Sequence, residues 1–155
     1  MKVELIEGAD DKAALCKTML SALPAWFGDE ETNLEYIEDV RSRMMFVAYG
    51  PDGVAGLLSL SKMTDSTYDI HVLGVMPAQH RQGIGRALVD AAKKYARAQG
   101  AVFITVKTLG PSMENAEYAA TRTFYRATGF SPLEENNEIW GEGVPCLIFC
   151  QALRS

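Results

Sequence analysis

Val72-Leu73-Gly74-Val75-Met76-Pro77-Ala78-Gln79-His80-Arg81-Gln82-Gly83-Ile84-Gly85-Arg86-Ala87-Leu88 is the stretch whose reading decides the fold. A strand runs up to Pro77, a short loop carries basic residues and two glycines, and a helix starts directly after it. Ile84, Leu88, Ala91, Ala92 and Tyr95 share one face of the predicted helix Gly83–Gln99, and Gly100 stands as its stop. Glycines let a backbone approach a bulky anion, and the unsatisfied first-turn N–H groups of the helix point at it with the positive end of the dipole. The segment reads either as a pyrophosphate cradle, to which Arg81 and Arg86 would add charge-assisted bonds, or as a glycine-rich turn that merely starts a helix. It is neither of two common nucleotide motifs. The Lys-[Ser/Thr] of a P-loop is missing, and Leu88 stands where a dinucleotide fingerprint needs a third small residue.

Working outward, Val3, Leu5 and Ile6 predict a first strand and Asp10 to Leu23 a helix stopped by Pro24. Thr32-Asn33-Leu34-Glu35 reads as a capping box opening a second helix. Met44–Tyr49 and Val54–Leu60 form a hairpin about Pro51-Asp52-Gly53, and Thr67–Val75 is a further strand. Beyond the quoted stretch, Ala101–Val106 is an apolar run suited to a central strand, and Glu117–Thr128 is a helix ended by Gly129. Phe130–Glu138 and Pro145–Leu153 are expected as closing strands. The order β-α-α-β-β-β-α-β-α-β-β describes a mixed sheet covered by helices, within one domain spanning 1–155.

Composition narrows the function. With 15 Lys+Arg against 20 Asp+Glu the net charge is -5, which opposes nucleic-acid binding and favours a cationic partner. Cys16, Cys146 and Cys150 have no metal-ligand spacing, and Cys146 and Cys150 stand about 13 Å apart along a strand, too far for a disulfide. A reducing, cytoplasmic setting is expected, with no metal. No run approaches the roughly 18 apolar residues of a membrane span, so no membrane association is expected.

His80-Arg81-Gln82-Gly83-Ile84-Gly85 resembles the acetyl-CoA pyrophosphate loop of the GNAT superfamily of N-acetyltransferases, whose pattern is Arg/Gln-x-x-Gly-x-Gly/Ala. Phe124-Tyr125-Arg126-Ala127-Thr128-Gly129-Phe130 resembles the family's Phe/Leu-Tyr-x-x-x-Gly-Phe, and the element order agrees over essentially the whole chain. Two positions depart from the pattern. His80 stands where Arg or Gln is usual, and Tyr118 where many members carry an Asn that contacts the pantetheine arm, with Asn115 close by but out of register.

The resemblance implies an α/β (α+β) GNAT fold: a mixed, mostly antiparallel central sheet of about 6–7 strands with about 4 helices on its faces. It implies direct attack of an amine on acetyl-CoA in a ternary complex, with acetyl-CoA as co-substrate. Leu73, Gly74 and Val75 would offer backbone groups to the pantetheine and thioester, and His80, Arg81, Gln82, Gly83, Ile84, Gly85, Arg86 and Tyr118 would complete the cofactor site. Tyr125 takes the family's general-acid position, or is a core tyrosine with its hydroxyl at the edge. Asp69 and His71 share one face of the fourth strand and are the candidates for base chemistry, or are an edge aspartate and a satisfied strand histidine. Trp26 and Phe27, beside three acids, form either a cation box or a core cap, and Glu142 beside Trp140 would join from a late loop. The expected acceptor is a small-molecule amine. A protein Lys or N-terminal amine is the alternative, as is a catalytically silent CoA-binding sensor or interaction module. Members of this fold often pair through their late strands, so a homodimer is a possible assembly.

Overall fold

The computed structural model describes residues 2–153. Along the chain they form β1 (Lys2–Ile6), α1 (Ala9–Ser21), α2 (Glu30–Asp39), β2 (Met44–Gly50), β3 (Gly53–Lys62), β4 (Thr67–Val75), α3 (Ile84–Ala98), β5 (Phe103–Leu109), α4 (Ala116–Ala127), β6 (Ser131–Asn136) and β7 (Cys146–Ala152). Short 3-10 turns fall at Val40–Ser42 and Pro77–Gln79. The strands hydrogen-bond in the order β1-β2-β3-β4-β5-β7-β6. The β4–β5 pair is parallel, while β1–β2, β2–β3, β5–β7 and β6–β7 are antiparallel, so this is the mixed, mostly antiparallel sheet with four helices. The chain divides into two compact units, Met1–Ser61 with His71–Tyr95, and Lys62–Ile70 with Ala96–Ser155. Strand β4 contributes its second half to the first unit and its first half to the second.

In the first unit, α1 buries Cys16, Met19, Leu20 and nearby Leu23 at helical spacing against Val40, Met45, Val47, Leu57 and Val72. Burial in this core pushes the Cys16 thiol up to about 12. Two glycines permit the packing. A Cβ at Gly74 would stand 2.7 Å from Met19 Cγ and 3.0 Å from Leu23 Cδ1, and one at Gly56 would stand 3.0 Å from both the Gly74 carbonyl oxygen and Ile84 Cγ2. Helices α1 and α3 therefore lie against β4 and β3 at distances a larger residue would forbid.

In the second unit, β5 pairs with Thr67–Ile70 of β4 on one side and with all of β7 on the other. Helix α4 starts at Asn115, whose side chain accepts the Tyr118 N–H at 3.0 Å. The helix buries Tyr125 and Arg122, and the Arg122 guanidinium donates to the Leu109 carbonyl at 2.7 Å.

Several boundaries differ from the sequence reading, α1 for instance ending at Ser21 rather than Leu23, and three differences have a visible cause. Helix α2 begins at Glu30 with Asp29 at its cap, so Thr32 lies in the first turn and its hydroxyl donates to the Asp29 carboxylate instead of capping. Strand β5 starts at Phe103 and runs past Val106 to Leu109, held by pairing with β7 down to Leu109↔Cys146. Strand β6 stops at Asn136 rather than Glu138, because the Asn136 side chain accepts the Glu138 and Ile139 N–H groups in a tight turn. All three cysteines are free thiols. Among the described residues, no helix is long and apolar enough to cross a membrane, and no group of three or more His, Cys, Asp or Glu could hold a metal ion.

Candidate active site

The loop between β4 and α3 holds two residues in the left-handed region, Arg81 at φ 65° and Gly83 at φ 79°. The Gly83 carbonyl accepts the Ala87 N–H at 3.0 Å, so α3 starts there, and its first-turn amides have no acceptor within the helix itself. A Cβ at Gly83 would meet nothing within 4 Å, which leaves open space on that side of the backbone. Arg81, Gln82, Gly83 and Arg86 are exposed. These are the properties an anion cradle requires.

His80 is exposed, but its ring folds back onto the end of β4. Its Nε2 lies 2.7 Å from the Val75 carbonyl, which can only accept, so the ring proton sits on Nε2. Its backbone N–H donates to Pro77 at 3.3 Å, and the Trp26 ring stands edge-on with centroids 5.7 Å apart. His80 thus clasps the loop to the end of β4, where the Leu73–Val75 backbone lies.

His71 occupies the first-unit half of β4. Its Nδ1 lies 3.0 Å from Ser59 Oγ and its Nε2 3.6 Å from Asp39 Oδ2. The Tyr36 ring meets it edge-on at 5.3 Å, and Phe27 meets Tyr36 at 6.2 Å. Burial lowers the His71 pKa, with help from the Arg43 charge and against the pull of Asp39, so the ring is neutral at pH 7.

Asp69 occupies the second-unit half and is mostly buried. It accepts the Thr105 hydroxyl at 2.6 Å and pairs with Lys107 Nζ at 3.6 Å. Burial raises its pKa, outweighing the Thr105 hydrogen bond and the Lys107 charge. Tyr125 is 5% exposed, with its ring among Phe124, Phe130 and Phe149. Burial pushes its phenol pKa well up, and the nearby Asp69 and Tyr118 push it further, so the phenol keeps its proton at neutral pH. The second unit therefore brings Asp69, Tyr118 and Tyr125 into one electrostatic neighbourhood.

Trp26 and Phe27 are partly buried against the first-unit core, and the neighbouring acids Glu30 and Glu31 fall in the first turn of α2. Glu142 is exposed in the loop before β7. Asn115 acts as the α4 cap, which uses its side-chain oxygen and leaves Tyr118 as the residue facing Tyr125 electrostatically. Sequence reasoning missed Ser59, Tyr36, Asp39, Thr105 and Lys107. The polar Thr105 and Lys107, two apart and breaking an apolar strand, were a visible signal for an inward polar group.

The comparisons with known proteins fit this geometry. The matching stretch is 33% identical over 78 residues to the N-alpha-acetyltransferase RimI of Mycobacterium tuberculosis, covering 50% of this chain and 44% of that protein. It is 33% identical over 108 residues to the mycothiol acetyltransferase of Beutenbergia cavernae, covering 63% of this chain and 34% of that one. The chain thus spans less than half the length of these curated relatives. A solved aminoglycoside 6'-N-acetyltransferase complexed with coenzyme A superposes with a TM-score of 0.77 at 16% identity, covering 100% of this chain and 98% of that one. The model of the acetyltransferase (GNAT) family matches residues 13–130, and the chain belongs to that family.

Proposed function

We propose that residues 1–155 act as one domain, an N-acetyltransferase that moves the acetyl group of acetyl-CoA to a primary amine of a small molecule in a ternary complex. The observation that carries this is the loop running into α3, with left-handed Arg81 and Gly83 and open space beside Gly83. Amides of residues 83–86 would hold the pyrophosphate, with Arg81 and Arg86 adding charge and the Leu73–Val75 backbone and Tyr118 facing the pantetheine arm. Bound there, acetyl-CoA supplies the activated acyl group.

The chain's own residues do the rest. Asp69, with its pKa raised by burial, is a stronger base than an ordinary carboxylate and takes the acceptor's proton, directly or through water. Tyr125 stays protonated at neutral pH and donates to the departing thiolate. We place His71, Trp26, Phe27 and Glu142 on the acceptor side. The net charge of -5 favours a cationic acceptor, and the free thiols favour a cytoplasmic setting. The likeness to RimI supports a second reading, in which the amine is a peptide N-terminus.

Calorimetric titration with acetyl-CoA, with free adenine nucleotides as controls, tests the cofactor. Thiol release with polyamines, aminoglycosides, amino acids and peptides then tests the acceptor. Gly83→Asp should abolish acetyl-CoA binding, since it puts a side chain and a negative charge into the cradle at a positive φ. Unchanged binding in that variant would remove the loop assignment.

A further inference from the structure

The hydrogen bonds around His71 determine where its proton sits, and with it which group meets a cation. Ser59 is 0% exposed, so its hydroxyl proton needs an acceptor within the protein. Its Oγ accepts the Val72 N–H at 3.1 Å. Among the described residues, the acceptor within hydrogen-bond reach of the Ser59 hydroxyl is His71 Nδ1, at 3.0 Å. The hydroxyl therefore donates to Nδ1, and the neutral ring carries its proton on Nε2. That Nε2–H faces Asp39 Oδ2 at 3.6 Å, too long for a direct hydrogen bond but close enough to orient a dipole toward the carboxylate.

An imidazole with its proton on Nε2 has no lone pair on the Asp39 side to receive an amine's proton. The negative group on that side is Asp39 itself, whose side chain is 48% exposed and thus reachable from water. Tyr36 lies one helical turn before Asp39 on α2, and its ring stands between those of Phe27 and His71. A carboxylate next to aromatic faces suits an alkylammonium.

We propose that Asp39 is the docking carboxylate for a protonated amine of the acceptor, and that His71, locked by Ser59 as the Nε2–H tautomer, is its positioning residue. This rests on the reading of the chain as an amine acetyltransferase. It gives that reading a substrate class: a cationic amine on a body that tolerates aromatic contact. It also separates two carboxylate roles, with Asp69 handling a proton and Asp39 holding a charge. Titration follows from the same geometry. The charged and titratable groups facing His71 are Asp39 and Tyr36 from α2 and Arg43 ahead of β2. When acid protonates His71, its full charge competes with the substrate for Asp39, so acceptor KM rises below the ordinary imidazole range.

Two measurements test this. A long-range 15N–1H NMR spectrum at pH 7.5, with the only other histidine removed as His80→Gln, should show His71 protonated on Nε2 and bare on Nδ1. The opposite tautomer overturns the proposal. Steady-state kinetics with the best acceptor among kanamycin, spermidine and phenethylamine should show acceptor KM at least tenfold higher in Asp39→Asn. In that variant kcat should stay within about twofold, acetyl-CoA KM should be unchanged, and the wild-type rise of acceptor KM with salt should be lost. His71→Phe should raise acceptor KM less and abolish its acid-side rise. An active wild type whose acceptor KM is indifferent to Asp39→Asn overturns the docking role alone. A wild type that binds acetyl-CoA but acetylates none of the three overturns the amine reading and the docking role together, while the His71 spectrum still decides the tautomer.

Discussion

The two halves of β4 present two side chains on one face, two residues apart, and treat them in opposite ways. Burial disfavours the charged form of both. Asp69 nevertheless lies against a hydroxyl and an ammonium from β5, partners that stabilise an anion. His71 lies against a buried hydroxyl and a carboxylate, with the Arg43 charge adding to the cost of protonation. Burial thus sets the direction of both shifts, a raised carboxylate and a lowered imidazole, and the neighbours modulate it. Thr105 and Lys107 of β5 pull Asp69 back down, Asp39 of α2 pulls His71 back up, and the Arg43 charge deepens the His71 shift. Side chains that look equivalent by strand periodicity take on different chemistry from their neighbours.

The comparison can be broken most sharply at Tyr125, which shares its neighbourhood with Asp69. Tyr125→Phe should lower kcat by roughly 100-fold, the low end for loss of a general acid, while acetyl-CoA affinity measured by calorimetry stays near wild type. Normal turnover would remove Tyr125 from the acid role and leave the Asp69 half without its partner.

A smaller effect isolates the His71 half. Gly74→Ala puts a Cβ 2.7 Å from Met19 Cγ, in the middle of a fully buried side chain that cannot swing aside. Urea unfolding should show a loss of about 1–3 kcal/mol, the usual range for overpacking. An unaltered midpoint would mean that α1 does not press on this half of the strand.

The smallest effect sharpens the electrostatics. Because the folded pKa of Asp69 is raised, the folded protein holds that proton more tightly than the unfolded chain, and stability is lost as pH rises from the ordinary value of 3.8 through the folded one. Asp69→Asn removes that loss and still accepts from Thr105, while Lys107, with its side chain 30% exposed, can turn to water. Its melting temperature at pH 7 should match or exceed wild type by about 2–4 °C, the response of a domain of this size to about 1 kcal/mol, and the gain should shrink toward pH 4. His71 has the opposite sign, since its folded pKa lies below 6.5, and its contribution is lost as pH falls through that value toward the folded one. A destabilised Asp69→Asn at pH 7 would show that the Lys107 pair outweighs burial.

Much of this was legible in the sequence because punctuation and periodicity are local. Pro77, Gly83 and Gly100 bracket the loop and α3, and the spacing of Tyr125 from Gly129-Phe130 marks α4 and its end. The face shared by Asp69 and His71 follows from a period of two. What was not legible depends on register between strands or on packing of segments distant in sequence. Ser59 reaches His71 only through the pairing of β3 with β4, and Asp39 only through the placement of α2. The hydrogen bond of His80 back to the Val75 carbonyl, with Trp26 beside the ring, depends on segments that sequence spacing does not join. The role of Asn115 as the α4 cap also shows only in the structure, through the Tyr118 N–H that its side-chain oxygen accepts. Backbone hydrogen bonding also explains the boundary errors, since β5 ends where β7 stops pairing with it rather than where its apolar run ends.

Arg81 bears on how this protein tolerates engineering. It is the one non-glycine among the described residues with a positive φ, at 65°, a conformation that disfavours side chains bearing a Cβ by roughly 1–2 kcal/mol. A thermostabilisation campaign scanning backbone angles would choose Arg81→Gly among its first substitutions. The heat resistance gained would come with the removal of a cation from the tip of the loop, so a screen reading only melting temperature would rank among its winners a variant stripped of a charge that the proposed cofactor site uses.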